Sequence, residues 1–165
     1  MLIRKTTEED GAALWELVKT TGKLELNTSY CYLLFSKLFS QTCLVVEIDG
    51  QLAGFVMAFQ PPEQEDTVFV WQVGVHPAYR GRGLATKLLA ALFEENPNYS
   101  YLEASVTPSN AASLALFRGF AKRRKTRCEE GTFLASHCFP KQHETEKLLR
   151  VGPLVTKPVL AGIGV

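Results

Sequence analysis

No stretch of this chain is apolar for long enough to cross a bilayer, and Met1-Leu2-Ile3-Arg4-Lys5-Thr6 lacks the apolar block of a secretion signal. Charge of one sign is missing too. Its 18 Lys and Arg against 17 Asp and Glu leave +1, so no bulk field draws it to nucleic acid or to a membrane surface. Cysteine is scarce, and Cys31, Cys43, Cys128 and Cys138 show no C-x-x-C spacing. They read as reduced thiols in a cytoplasmic protein rather than a disulfide framework or a zinc site. His76, His137 and His143 are too scattered to pair as ligands, so no metal is expected. No repeat or low-complexity segment is present.

What is there suits an ordinary soluble composition: 165 residues, 46% hydrophobic and 21% charged, enough for one core. One domain over residues 1–153 is expected, with the tail 154–165 (Pro158, two glycines, no periodicity) unassigned. Leu2-Ile3-Arg4 reads as an edge strand. Thr7-Glu8-Glu9-Asp10 reads as a helix start, buried through Leu14, Leu17 and Val18 and ended by Gly22. A connector through Glu25 leads to a helix from Tyr30 to Phe39, with Leu34 and Leu38 as its stripe. By pattern alone, Glu25 is a solvated loop carboxylate and Tyr30 a half-buried aromatic. Residues 43–48 and 52–59 are strands joined at Asp49-Gly50, a strong hairpin signal. Tyr99 to Val106 is another strand, and Thr107-Pro108-Ser109-Asn110 leads into a helix through Leu114 and Phe117. The basic Lys122–Lys125 is read as a solvated turn, then comes a polar region, then a last strand at Leu148-Leu149-Arg150-Val151. The order is that of a mixed α/β chain.

At the centre lies Phe69 to Leu92. Its β-branched and aromatic start reads as a buried strand, which His76-Pro77 ends. Arg80-Gly81-Arg82-Gly83 follows, then Leu84, Ala85, Leu88, Leu89 and Leu92 at helical spacing. Strand, glycine loop and helix start together make an anion site. The first-turn N–H groups lack intrahelical partners, the dipole favours negative charge, and Gly81 and Gly83 permit close approach. Arg80 and Arg82 add cationic donors suited to a pyrophosphate. An ordinary strand-to-helix turn with exposed arginines is the plainer alternative. The loop is neither a Walker loop, whose G-x-x-x-x-G-K-S/T spacing is missing, nor a dinucleotide fingerprint, whose third glycine is missing.

Arg80-Gly81-Arg82-Gly83-Leu84-Ala85 resembles the Arg/Gln-x-x-Gly-x-Gly/Ala pyrophosphate loop of the GNAT superfamily of N-acetyltransferases. The resemblance implies an α/β fold: a mixed, mostly antiparallel sheet splayed at the central strand, with flanking helices and acetyl-CoA as co-substrate. It implies that Val73, Gly74 and Val75 pair with the pantetheine arm, and Gly74 would omit a side chain where another chain lies close. Asn110-Ala111-Ala112-Ser113-Leu114-Ala115-Leu116-Phe117 is similar to the family's second motif, in which Asn110 contacts the same arm and Ser113 and Phe117 complete the cofactor set. Asn110 could equally be a plain helix cap. Many relatives carry at the position of Phe117 a tyrosine that protonates the departing thiolate; phenylalanine has no proton to give, so Tyr30, water or no group at all serves.

Longer strings are similar to a narrower family. Trp71-Gln72-Val73-Gly74-Val75-His76-Pro77, Glu103-Ala104-Ser105-Val106-Thr107-Pro108-Ser109-Asn110 and His143-Glu144-Thr145-Glu146 resemble the L-2,4-diaminobutyrate acetyltransferases of ectoine biosynthesis. That resemblance implies acetylation of a γ-amine, and homodimerisation is common in the superfamily. Such a substrate needs acids for its ammonium groups and donors for its carboxylate. Glu25 and Glu146 are the candidate anchors, with His143 and Glu144 as a proton relay. Tyr30, Trp71, Gln72 and Thr107 supply donors and shape. The alternatives are an acetyltransferase for another small amine or an acetyl-CoA-binding domain without catalysis.

Overall fold

The computed structural model describes residues 1–154, so all but the first residue of the unassigned tail lies outside the described residues. Seven strands form one sheet: β1 (Leu2–Lys5), β2 (Leu44–Ile48), β3 (Gln51–Phe59), β4 (Thr67–Val75), β5 (Tyr101–Val106), β6 (Arg127–Leu134) and β7 (Glu146–Gly152). Their order across it is β1-β2-β3-β4-β5-β7-β6. Every pairing is antiparallel except β4 with β5. Helices α1 (Gly11–Thr21) and α2 (Ser29–Leu38) cover one face, and α3 (Leu84–Glu95) and α4 (Ala111–Arg123) the other.

Local chemistry accounts for most of these elements. The β2–β3 hairpin turns on Asp49 and Gly50, both at positive φ (51° and 76°), the conformation that a two-residue turn needs. Gly22 at φ 64° ends α1. On α3, Leu88, Leu89 and Leu92 are fully buried against the sheet and contribute roughly 2 kcal/mol each relative to exposure.

Two features bear on the site. Pairing of β3 with β4 passes from Met57↔Gln72 to Ala58↔Val70, so Trp71 is an extra, bulged residue. The bulge resets the alternation of β4. Val68, Val70, Val73 and Val75 all turn towards α3 and α4, whereas Trp71 and Gly74 turn towards α1 and α2. At the same place the β4–β5 pairing stops, its last partners being Val70↔Ala104. Beyond it β4 keeps only β3, and β5 keeps only β7. The sheet therefore splays, as the superfamily resemblance implies.

The structure departs from the sequence reading in two places. The segment after Lys125, read as a polar region, holds β6. Seven of its eight residues are exposed, all but Cys128, so no buried face writes an alternation into it. Its order comes from pairing with β7 and from ion pairs of Glu130 with Arg118 and Lys147. On α2, Leu34 and Leu38 do not face the core; Leu38 is 67% exposed, and the buried residues are Tyr32 and Ser36.

Candidate active site

The splay opens a cleft of about 740 Å³ between β4 and β5. Val73, Gly74 and Val75 line one wall, Thr107 and residues 109–113 the other, and Thr21, Lys23, Leu24 and Arg80 one end. Beyond the bulge, the edge of β4 that faces β5 has no strand partner, which leaves backbone donors and acceptors for an extended ligand. Gly74 lies on this wall, yet its missing Cβ serves packing. A Cβ there would come within 2.7 Å of Phe55 and 2.9 Å of Leu24. The glycine admits those two side chains from the α1 and α2 side.

At the mouth, Gly81 and Gly83 have φ of 77° and 71°. A Cβ at either would meet nothing within 4 Å, so it is the backbone conformation that calls for glycine there. Gly83 opens α3 without any side-chain cap, and the first bond of the helix runs from Lys87 N to Gly83 O, 3.0 Å. The N–H groups of Leu84, Ala85 and Thr86 thus have no partner in the helix. The Leu84 side chain packs in the core, whereas Ala85 is half-buried. Arg80 lines the cleft and donates to Thr21 O at 2.9 Å, which ties the loop to the carbonyl end of α1. Arg82 lies over the Tyr79 ring, 5.1 Å from its centroid. Arg123, which the sequence reading passed over, bonds Thr86 Oγ1 at 2.9 Å and adds a cation at this helix start.

Across the cleft, Asn110 caps α4 by accepting from Ser113 N at 3.1 Å. Phe117 is 2% exposed, sits in the core and does not line the cleft. It is a packing residue in this structure.

The expected substrate residues divide. Trp71 is half-buried and stacked on Phe35 at 4.5 Å, and among the described residues its indole N–H has no hydrogen-bond partner. Thr107 lines both the main cleft and a neighbouring cavity of about 470 Å³ bounded by Gln142, His143 and Glu144. Gln72 is buried and turned towards the protein: its Nε2 donates to Glu25 O at 2.8 Å, and its Oε1 accepts from Tyr32 Oη at 3.2 Å. Tyr30 is 66% exposed and, like Glu25, Trp71, Gln72 and Glu146, does not line the main cleft; among the described residues its hydroxyl has no hydrogen-bond partner. Tyr32, fully buried, is the tyrosine brought to β4. The helical repeat of 32 with 36, opposite the 30-34-38 stripe, is the only trace of this in the sequence.

The Glu25 carboxylate is exposed and, among the described residues, has no hydrogen-bond or ion-pair partner. Glu144 accepts hydrogen bonds from the hydroxyl and N–H of Ser109, which fastens the 140s loop to the start of α4. His143 stacks on Phe139 at 3.9 Å, with Nδ1 2.6 Å from Glu144 O and Nε2 3.8 Å from Glu146. A carbonyl only accepts, so Nδ1 carries the proton and Nε2 of the neutral ring is the acceptor, beside Glu146. Among the described residues, no three His, Cys, Asp or Glu are placed to hold a metal ion, and no helix is long and apolar enough to cross a membrane.

The comparisons agree with this architecture. Residues 12–120 match the model of the acetyltransferase (GNAT) family. The L-2,4-diaminobutyric acid acetyltransferase of Marinococcus halophilus is 49% identical over 152 residues, covering 90% of this chain and 88% of that protein. The enzyme of the same name from Halalkalibacterium halodurans is 46% identical, over 92% of this chain and 82% of that one. The solved diaminobutyrate acetyltransferase of Paenibacillus lautus, in complex with its substrate L-2,4-diaminobutyric acid and coenzyme A, superposes with a TM-score of 0.88 at 35% identity, covering 94% and 96% of the two chains. With a splayed central strand, an uncapped glycine-led helix start and near-full-length identity of this order, the chain belongs to the GNAT acetyltransferases and, among them, to the L-2,4-diaminobutyric acid acetyltransferase family.

Proposed function

We propose that the protein transfers the acetyl group of acetyl-CoA to the 4-amino group of L-2,4-diaminobutyrate, giving N4-acetyl-L-2,4-diaminobutyrate as a step of ectoine biosynthesis. The observation that carries this is the cleft at the end of the β4–β5 pairing, in a chain nearly half identical to enzymes of that name. Its parts fit the two substrates. The unpartnered edge of β4 suits the amides of the pantetheine arm. The N–H groups at the start of α3, with Arg80 and Arg82, suit the pyrophosphate. The Trp71 indole N–H and Thr107 suit the carboxylate of the amino acid, and Glu25 and Glu146 its ammonium groups.

The acceptor must lose a proton before it attacks. An aliphatic amine has a pKa of roughly 10, so at neutral pH about one molecule in a thousand is nucleophilic. His143 Nε2 is the proposed acceptor, a role supported by Glu146 at 3.8 Å, which would stabilise the imidazolium, and by Glu144, whose bonds to Ser109 hold the loop that carries the ring. The neutral amine attacks the thioester carbonyl, the C–S bond breaks, and coenzyme A departs as a thiolate; the nitrogen's surplus proton passes to that thiolate or to water, since Phe117 has none to give. Two assays test this reading. NMR of the product is expected to show acetylation at the 4-amine alone; predominant acetylation of the α-amine overturns the orientation. Replacing His143 by Gln is expected to lower kcat and flatten the acid limb of the pH–rate profile, while Glu25→Gln mainly raises KM for the amino acid.

The protein is further proposed to act in the cytoplasm as a homodimer. Tyr30, Leu34 and Leu38 form an exposed apolar stripe on α2, and a run of ring contacts, Phe39–Phe59–Phe69–Phe133, carries that apolar surface across the sheet to β6. Light scattering of the wild type and of Leu38→Glu tests this, with a monomeric wild type as the result against it.

A further inference from the structure

Residues 22–28, between α1 and α2, border the cleft through Lys23 and Leu24 and carry Glu25. Among the described residues, no backbone group of 23–27 bonds to another backbone group. Side chains hold this segment instead. Gln72 Nε2 donates to Glu25 O at 2.8 Å, Tyr32 Oη accepts from Asn27 N at 3.3 Å, and Trp15 Nε1 donates to Asn27 O at 3.1 Å. Tyr32 Oη also donates to Gln72 Oε1, so the two clamps brace each other.

This use of Gln72 is costly enough to need a reason. It is one of few buried polar side chains, and burying an amide is tolerable only when its hydrogen bonds are made. It faces α1 and α2 because the Trp71 bulge shifts the alternation of β4. Were β4 regular through Trp71, Gln72 would point with Val70 into the core under α3. The bulge that opens the sheet therefore also aims the amide that holds the loop. From the cofactor side, Arg80 donates to Thr21 O, at the end of α1 just before this segment.

We infer that Gln72 and Tyr32 are positioning residues for substrate recognition: they fix the backbone at Glu25 and Asn27 so that the Glu25 carboxylate is presented to an ammonium group of the amino-acid substrate. The inference rests on the proposed reaction and deepens it. Gln72 acts through the loop, since both its amide atoms are already engaged. Loss of either clamp frees Glu25 to sample conformations that do not meet the substrate, which weakens amino-acid binding and leaves acetyl-CoA binding untouched.

Steady-state kinetics of the full chain test it with Tyr32→Phe, which removes only the hydroxyl, Gln72→Met, which keeps the length of the side chain, and Glu25→Gln. Tyr32→Phe and Gln72→Met are each expected to raise KM for diaminobutyrate about tenfold, with KM for acetyl-CoA unchanged. Because they act through Glu25, Gln72→Met added to Glu25→Gln is expected to cost nothing further. Additive losses in that double variant, equal rises in both KM values, or no rise at all would overturn the inference. Should Gln72→Met fold poorly, Tyr32→Phe paired with Glu25→Gln gives the same cycle. The unsubstituted enzyme is first assayed over a panel of diamines. Turnover of another amine in place of diaminobutyrate defeats the substrate assignment alone, and the same cycle is then read with that amine.

Discussion

The starts of α3 and α4, on either side of the cleft, satisfy their backbone donors differently, and the difference bears on the site. The turn that leads into α1 is closed by Asp10, whose carboxylate accepts from Thr7 N–H at 2.8 Å and pairs with Arg4 at 2.8 Å. At α4, Asn110 supplies the cap. At α3 there is a glycine at positive φ and no side-chain cap, although the helix is as long and as well buried as the others. Capping is worth about 1 kcal/mol, so leaving α3 uncapped forgoes stability at a place where a ligand's oxygens can take the donors. Among the described helices α1 and α2 also lack a side-chain cap, so what sets α3 apart is the positive-φ glycine and the neighbouring Arg80 at the mouth of the cleft.

The largest expected effect comes from spoiling the uncapped start. Gly83→Val puts a β-branched side chain at φ 71°, a conformation such residues avoid, while its Cβ touches nothing. The backbone must rotate, and calorimetry is expected to show acetyl-CoA affinity falling roughly 100-fold, with the fold intact because the site is exposed. Gly83→Ala should lie between. Affinity like that of the wild type in both would place the pyrophosphate elsewhere.

Next comes the acidic turn before α1. Burial alone would raise the Asp10 carboxyl, but the Arg4 guanidinium and the Thr7 N–H more than offset it and hold its pKa below the ordinary carboxylate value. A carboxyl with a lowered folded-state pKa contributes stability that is present above its unfolded value, about 3.9, and is lost as pH falls through the folded value. Asp10→Asn is therefore expected to cost about 2 kcal/mol in urea unfolding at pH 7 and to lose less on acidification below pH ~4 than the wild type. Acetyl-CoA affinity should not move.

Smallest is the cap of α4. Asn110→Ala is expected to cost about 1 kcal/mol of stability with little change in acetyl-CoA affinity. A tenfold loss of affinity instead would blur the contrast and give Asn110 the pantetheine contact that its motif implies.

Much of this was legible in the residues. The Asp49-Gly50 hairpin, the β4–loop–α3 unit and the α4 motif follow from local rules: turn geometry that needs positive φ, periodicity, and proline's missing donor. The cofactor end of the cleft is contiguous in sequence, so its spacing could be read directly. The substrate end draws on α1, α2, β4 and the loop before β7. Tyr32 rather than Tyr30 meets β4 because α2 turns its 32–36 face inward, and its apolar 30–34–38 stripe carries no mark of which side the sheet lies on. Gln72 looked like a free donor, and only the bulge shows that its amide is spent on Glu25 and Tyr32.

The sequence by itself determined the family, the glycine loop at the start of α3 and every strand but β6, because each is encoded over a few neighbouring residues. Tertiary structure alone decided β6, the bulge at Trp71 and the tethering of the Glu25 loop. An exposed edge strand has no buried face to write an alternation, a one-residue bulge reverses the facing of every residue after it, and a loop without backbone partners takes its shape from side chains that fold in from elsewhere.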